Sequence, residues 1–404
     1  MKNIITAISA VFVVALLACP RQAGAQSVFG LNFIGEHNNA GGARYSAIGW
    51  SGIAVPDTSG ALTMNPASLA GLRSFTFSLY EVTSMSRVNT EEQTSDQTRY
   101  QLPSAMAAFP VSRGLVLGIG YRTRFAGKAE FSYPADVDFT PAPEELYKFN
   151  SSLYSVPFTV AWAPRDWLSV SASVQLEKGS IKDEIYSDFD DTAYKDTQSI
   201  RTRGFSGTSW SASALVRAHP RLWLGASFDE SVDYSVEETV KYTLERLNTR
   251  TTYDFTLPAA WSIGAAYGIS ERWWATSSFW MRGAPGIEGF SQFEGSLGDE
   301  TVVSFGVERR GSAEGHRWGR MPLRLGYYED RWHVEIPNGN RVVSRFFSVG
   351  SGFGMPGGPG GIDVTLEFGK IGSVSDNAID EKVFRVGIGM SLSEKWTKRR
   401  VERH

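Results

Sequence analysis

The chain has 404 residues, with 40 Lys and Arg against 43 Asp and Glu, so its formal net charge is −3 at pH 7. This balance argues against a nucleic-acid partner, which usually requires a basic face. Glycine is abundant at 41 residues and aromatic residues make up 13%, which favours an all-β barrel or sandwich.

The first 25 residues have the pattern of a signal peptide. Lys2 gives a positive start, residues 4–17 form an apolar run, and Ala23-Gly24-Ala25 is a small-residue cleavage site. The apolar run is shorter than the about 18 residues of a spanning helix. The chain is therefore predicted to be exported and cleaved before Gln26.

Cys19, the only cysteine, lies in a second processing pattern. Residues 16–19 read LLAC, which fits a bacterial lipoprotein box, so Cys19 is either lipidated or removed with the signal peptide. If it is removed, the mature chain has no disulfide and no thiol chemistry.

After residue 25 the chain shows persistent two-residue alternation. In LVLGIGYRTRF (115–125), apolar residues alternate with glycine and arginine, and residues 167–176 and 384–392 repeat the pattern. A period of two places successive side chains on opposite faces of a sheet. A soluble sandwich would alternate in the same way, but no later segment has the unbroken apolar run of a spanning helix. A membrane crossing would therefore be made by strands.

Connection lengths favour a membrane barrel. Those that follow even-numbered strands are mostly short, whereas those at 89–98, 132–150 and 187–197 are long and polar. Outer-membrane barrels combine short periplasmic turns with longer extracellular loops. The fourteen predicted strands are 74–88, 99–111, 114–131, 151–163, 167–186, 198–217, 222–242, 249–269, 272–283, 300–310, 319–331, 342–354, 362–375 and 382–394.

Three of the short turns repeat an arginine followed two residues later by tryptophan, at Trp167, Trp223 and Trp274. The preferred interpretation is an aromatic girdle at the lipid–water interface. The same tryptophans share parity with small, inward-facing positions, which favours instead a cap on the lumen.

Four motifs carry a resemblance to a known family. Residues 43–70 read ARYSAIGWSGIAVPDTSGALTMNPASLA around Asn65, Pro66 and Ala67, followed by FTLPAAWSIGAAYGISERW at 255–273, MPLRLGYY at 321–328 and FFSVGSGFG at 346–354. In this order they resemble FadL-like outer-membrane long-chain fatty-acid transporters. The resemblance implies a membrane-spanning antiparallel β-barrel of about fourteen strands whose lumen is blocked by an N-terminal hatch.

The predicted organisation has four parts: a signal peptide at 1–25, a hatch inside the barrel at 26–72, the barrel at 73–396 and a basic tail at 397–404. The resemblance implies passive passage of long-chain fatty acids or other hydrophobic small molecules across the bacterial outer membrane. Residues 385–392 fit a barrel-assembly signal, so the barrel-assembly machinery and outer-membrane lipid are expected partners. A PorV-like role, as an assembly or shuttle factor for secreted proteins, is the alternative.

The third strand carries the first site candidates. Arg122, Arg124 and Lys128 are predicted to face inward, where arginine can bind a fatty-acid carboxylate bidentately; the competing interpretation is the ordinary charge of a polar lumen. The family resemblance also implies an inward kink in this strand, which Gly120 or Gly127 would permit.

Aromatic residues in two connections are candidates for ligand capture. Leu146, Tyr147 and Phe149 follow Pro141, which would begin a short helix, and Phe290 and Phe293 lie in the connection 284–299. Exposed apolar clusters often mark binding sites, although such residues also pack loop against loop.

No motif indicates an enzyme, a cofactor or a metal site. The five histidines have no ligand spacing, and no G-x-S-x-G elbow occurs. The aspartates at 188, 190, 191 and 196 match no complete calcium loop, and residues 354–361 lack the Gly-Lys of a phosphate loop.

Overall fold

The computed structural model describes residues 27–32, 34–39, 41–90, 94–135, 143–189, 195–243, 248–286, 296–312, 317–335, 340–354 and 360–394. The predicted signal peptide with Cys19, the basic tail, and the capture candidates Phe290 and Phe293 lie outside these residues.

Eighteen strands and five short helical segments are found among the described residues. The strands are β1 Glu36–His37, β2 Phe75–Asn89, β3 Thr94–Ser112, β4 Leu115–Pro134, β5 Glu144–Arg165, β6 Leu168–Asp188, β7 Thr197–His219, β8 Leu222–Asp229, β9 Val232–Tyr242, β10 Thr249–Leu257, β11 Ala260–Gly268, β12 Trp273–Arg282, β13 Ser296–Leu297, β14 Glu300–Arg309, β15 Leu323–Glu335, β16 Arg341–Gly354, β17 Gly360–Ser373 and β18 Ile379–Glu394. The helical segments are Val28–Asn32, Ala43–Ala47, Pro66–Gly71, Arg317–Arg320 and Val374–Asn377.

The strands close into one antiparallel barrel. The last strand, β18, pairs with β2 from Asp380↔Asn89 to Glu394↔Phe75, which joins the two ends of the sheet. β8 with β9, and β10 with β11, each form one interrupted crossing, because both halves pair with the same neighbouring crossing. The described residues thus form fourteen crossings, and the predicted fourteen-stranded barrel is confirmed.

The outer wall is apolar. Leu117, Val160, Val174 and Phe347 point outward and are 43%, 47%, 52% and 65% exposed, which in a closed barrel is the surface that contacts lipid. No helix in the described ranges is long and apolar enough to cross a membrane. A closed barrel with this apolar wall is a protein of the bacterial outer membrane.

The turn tryptophans divide between the two predicted positions. Trp167 is 52% exposed and fits an interfacial girdle. The girdle prediction is wrong for Trp223 and Trp274, which pack against the buried cluster inside the barrel. Trp223 is inward because it shares the parity of Gly225 on β8, whose neighbour is Ile53. Trp274 is inward because it shares the parity of Thr276 and Ser278 on β12, which contact the N-terminal residues Ser51 and Ile53.

The lumen has two chemically different halves. Near the long connections, the inward side chains of Phe149, Leu153, Phe205 and Phe255 form one buried apolar cluster with their neighbours. Towards the short turns, inward hydroxyls pair across neighbouring strands, as in the Ser227–Ser262 bond of 2.6 Å. An apolar outer half above a hydroxyl-rich inner half gives the lumen a graded polarity.

Candidate functional site

The seam between β3 and β4 is the least complete in the barrel wall. The two strands pair from Ser112↔Leu115 to Ser104↔Arg122. Beyond that point, residues 94–101 pair with β2 and residues 123–134 pair with β5, but no described pairing joins these two stretches. A paired stretch of about nine residues, at ~3.4 Å each and a tilt of about 45°, rises about 22 Å. The ladder therefore ends inside an apolar band that is about 25 Å tall.

A register shift in β4 lies where the ladder ends. The pairing with β5 jumps from Thr123↔Tyr154 to Phe125↔Leu153, so Arg124 is an extra, bulged residue. A bulge bends its strand and reverses the facing of every later side chain. The irregularity is thus at Arg124, and neither Gly120 nor Gly127, the predicted kink positions, carries it.

Part of the N-terminal segment (Ser27–Leu72) occupies the seam. On one side, β1 pairs with β4 through Glu36↔Ala126 and His37↔Phe125, and the amide of Asn38 donates to the carbonyl of Arg124 at 2.8 Å. Residues 36–38 therefore continue the ladder of β4 where β3 leaves it.

On the β3 side, side-chain bonds hold residues 36, 38 and 41. Arg99 contacts Glu36 at 2.8 Å, and the Gln101 amide donates to Asn38 at 3.0 Å. The Ser104 hydroxyl donates to the carbonyl of Gly41 at 2.8 Å. These three bonds, and a fourth from the Thr123 hydroxyl of β4 to the carbonyl of Leu102 in β3 at 3.3 Å, close the seam where the backbone ladder ends.

A second part of the N-terminal segment docks on β7 through the predicted Asn65-Pro66-Ala67 motif. Asn65 is buried and caps the helical turn Pro66–Gly71 by accepting from the Ala67 amide at 3.1 Å. Its amide nitrogen donates at 2.9 Å both to the carbonyl of Ile53 and to that of Ala214 in the wall. Pro66 suits the first position of the turn, where no amide proton is needed.

Inward glycines let the segment approach the wall. Gly225 and Gly264 are paired across β8 and β11, and a Cβ at either would meet Ile53 of the N-terminal segment. At Gly306, on β14, it would meet the carbonyl of Ile48. These positions admit glycine because another backbone lies against them.

An ion network holds the inner end of the segment. Arg44 contacts Asp57 at 2.6 Å and Glu308 of the wall at 2.8 Å, and Arg324 contacts the other oxygen of Glu308 at 2.8 Å. Burial raises the pKa of Asp57, but the Arg44 guanidinium and the two hydrogen bonds from Ser59 together outweigh it and leave the pKa of that carboxyl below its ordinary value.

A cavity of about 120 Å³ lies between the N-terminal segment and the inner wall. Ala105 and Tyr121, which pair at the second-last position of the β3–β4 ladder, line it, so the cavity reaches the seam. Its apolar lining includes Trp50, Ile53, Met64, Met106, Trp280 and Val302, and its polar lining includes Arg122, Gln175, Asp229 and several serines.

The three predicted cations of the third strand have different environments. Arg122 lines the cavity; its Nε is buried without a hydrogen-bond partner, and it forms no ion pair with any described residue. Arg124 is 2% exposed and paired with Glu177. Because that charge is already neutralised, the prediction that Arg124 binds a ligand carboxylate is wrong.

The prediction that Lys128 faces inward is also wrong. The bulge at Arg124 reverses the alternation, so Lys128 shares its face with the exposed Glu130, while Ala129 is buried in the lumen. Gly127 faces inward, where a Cβ would meet the ring of Phe149.

The predicted capture loop with a short helix is, from Glu144 onward, part of strand β5. Phe149 is 2% exposed inside the apolar cluster, and the Tyr147 hydroxyl donates to Asp183 at 2.9 Å. Leu146 is half-buried on the same strand. These side chains do not form the predicted exposed groove, because β5 extends seven residues further than the alternation suggested.

Several site residues have no local signal in the sequence. Asp229 accepts from the Gln175 amide at 3.3 Å across the cavity lining. Glu300 contacts His37 at 3.1 Å and Arg282 at 3.4 Å beside the seam. Gln175 and Asp229, and His37 and Glu300, are far apart along the chain, so only the barrel brings them together.

A fourteen-stranded barrel with an N-terminal segment docked in its lumen defines the class of FadL-type outer-membrane barrels. The model of the BamG family matches residues 1–401, and the chain belongs to this family. No curated protein matches the sequence.

Three solved structures illustrate the shared fold. A FadL homologue of Pseudomonas aeruginosa is 10% identical with a TM-score of 0.64, covering 90% of this chain and 100% of that one. The toluene transporter TbuX of Ralstonia pickettii is 15% identical with a TM-score of 0.60, covering 88% and 98%. The toluene transporter TodX of Pseudomonas putida is 14% identical with a TM-score of 0.59, covering 89% and 99%. Two of the three are named as toluene transporters, and at such identities the likeness is one of fold.

Proposed function

We propose that this protein is an outer-membrane channel for the passive uptake of small hydrophobic molecules. The proposal rests on one observation: the cavity reaches the incomplete β3–β4 seam at Ala105 and Tyr121. The solved structures of similar fold named as toluene transporters support the same class of function.

The proposed route begins in the apolar outer half of the lumen. Transfer of apolar surface from water gives about 25 cal/mol per Å², so capture needs no energy source. The ligand then enters the cavity and leaves sideways between β3 and β4 when residues 36–38 move. In this proposal the N-terminal segment acts as the hatch, and Asn65, Pro66 and Ala67 hold it on the wall.

The size of the cavity favours a ring-sized ligand over a long acyl chain. A cavity of about 150 Å³ holds one benzene molecule, and this cavity measures about 120 Å³. A long-chain fatty acid, the ligand class implied by the sequence resemblance, would require the N-terminal segment to withdraw before it binds.

The route is tested by locking the seam. Asn38→Cys with Gln101→Cys places two thiols where the native side chains are hydrogen-bonded, and the only native cysteine, Cys19, lies in the predicted signal peptide. In cells that lack their own transporter, bridging the two thiols by disulfide bonds to a short bis-methanethiosulfonate should abolish uptake of labelled toluene or phenol, and a reductant should restore it. Each single cysteine variant is the matched control. Wild-type uptake through a fully bridged double variant would overturn the lateral route.

A second function is favoured by a different observation. The edge of β3 at residues 94–101 has no described strand partner on the β4 side, and an open edge is a template for an added strand. The family name, BamG, suggests a link to barrel assembly, and a PorV-like shuttle for secreted proteins is of the same kind. Photocrosslinking from Tyr100, which is 49% exposed, would favour this role if it captured an outer-membrane or exported protein in cells in which uptake is absent.

A further inference from the structure

We propose that the cavity selects a phenol, a neutral single aromatic ring that carries a hydroxyl group, over a hydrocarbon of the same size. The physiological meaning of this selectivity rests on the proposed uptake function. Binding itself is measurable on the purified barrel without transport.

The apolar part of the cavity fits one aromatic ring. The indoles of Trp50 and Trp280 and the thioethers of Met64 and Met106 line it. Aromatic pairs and sulfur–aromatic contacts each add to the gain from burying the ring. The volume of about 120 Å³ is close to the about 150 Å³ that holds benzene.

A hydrocarbon in the cavity would leave the polar side chains of its lining without hydrogen-bond partners. Arg122 has a buried Nε without a partner and no ion pair among the described residues. Asp229 lines the same cavity and accepts one long bond, of 3.3 Å, from Gln175. Water fills polar cavities of this kind, and a ligand that displaces it without replacing its hydrogen bonds loses affinity.

The charge of the lining favours a neutral ligand over an aromatic carboxylate. Arg122 alone would attract an anion, but Asp229 would repel it within the same small cavity. A phenol hydroxyl has both functions, since it accepts a hydrogen bond from the guanidinium and donates one to the carboxylate. Arg122 and Asp229 are thus assigned as the specificity-determining pair.

The inference is tested by isothermal titration of the folded full-length barrel in detergent with phenol, toluene and benzoate. Phenol should bind at least tenfold more tightly than toluene or benzoate, because each hydrogen bond to a charged group contributes about tenfold or more. Arg122→Gln and Asp229→Asn should each weaken phenol by about tenfold and leave toluene unchanged. Lys128→Gln is the matched control, since it removes a cation from the outer face of the same strand.

The possible outcomes distinguish a failure of this inference from a failure of the proposed uptake function. Toluene or benzoate binding as tightly as phenol, or equal loss of phenol and toluene in Arg122→Gln, overturns the inference. No binding of any of the three also overturns it, and uptake of toluene would then still support the channel. Selective phenol binding without uptake of any of the three ligands supports the inference and overturns the channel. Heat-dependent gel mobility verifies that each variant is a folded barrel.

Discussion

Replacement of Asn65 by alanine should release the N-terminal segment from the wall without unfolding the barrel. The side chain of Asn65 caps the turn that begins at Pro66 and donates to Ile53 and to Ala214. Loss of an N-cap costs about 1 kcal/mol, and each lost amide bond costs about 0.5–1.5 kcal/mol. The docking contact is therefore weakened by about 2–4 kcal/mol, which raises the released population by about 100-fold at ~3 kcal/mol.

Two measurements follow this release. Hydrogen exchange of residues 53–67, read by mass spectrometry on the purified barrel, should accelerate, and conductance in a planar bilayer should rise. Asn150→Ala is the matched control, because Asn150 is exposed on the outer face of β5. Unchanged exchange at residues 53–67 in a folded Asn65→Ala barrel would refute the docking role, as would an equal increase in the control.

Three further predictions address the interior. Arg124→Met alone should lower the free energy of unfolding in urea by about 3–5 kcal/mol, because it leaves the charge of Glu177 buried without a partner in the lumen. The double variant with Glu177→Leu should recover part of this loss, and an additive loss of stability in the double variant would contradict the prediction. Gly306→Ala should push the N-terminal segment off β14 and raise conductance, whereas Gly354→Ala, where a Cβ meets nothing within 4 Å, should not. Because the pKa of Asp57 is lowered in the docked state, its contribution to docking is complete at neutral pH and is lost as pH falls through that depressed pKa. When the pH is lowered from about 7 to about 3, conductance should therefore rise more in wild type than in Asp57→Asn. Identical pH profiles of conductance in the two proteins would refute this role of Asp57.

The barrel was predictable from the sequence because its signals are local. Two-residue alternation and the sorting of connection lengths each follow from short stretches of chain, and together they predicted the fourteen crossings. The bulge at Arg124 was not predictable, since nothing in the alternation before it marks the extra residue. One such residue reverses all later facings, which is why Arg122 was assigned to the lumen correctly and Lys128 was not.

Only those site residues that interact with residues close to them in the sequence could be predicted. Asn65 next to Pro66 is a helix-cap pattern that can be read from the sequence. The surroundings of Arg124 and Arg122 could not be read in this way. Glu177, which pairs with Arg124, is 53 positions away along the chain, and Asp229, which lines the same cavity as Arg122, is 107 positions away. The pairing register of the barrel strands brings these residues together, and that register depends on every bulge earlier in the strand.

The construction of the seam is consistent with opening by a ligand. On the β3 side, residues 36, 38 and 41 are held by two ion pairs of Glu36, to Arg99 and Arg385, and by two neutral hydrogen bonds, which together contribute about 4–9 kcal/mol. A ligand that shifts a two-state equilibrium from about 1:99 to about 99:1 needs a differential affinity of about 5.5 kcal/mol. The two energies are similar, whereas breaking the adjoining nine-residue backbone ladder would cost far more. A wall that must stay closed in lipid and still open sideways is therefore best sealed by a few side-chain bonds to a movable segment, which is the arrangement found at Arg99, Gln101 and Ser104.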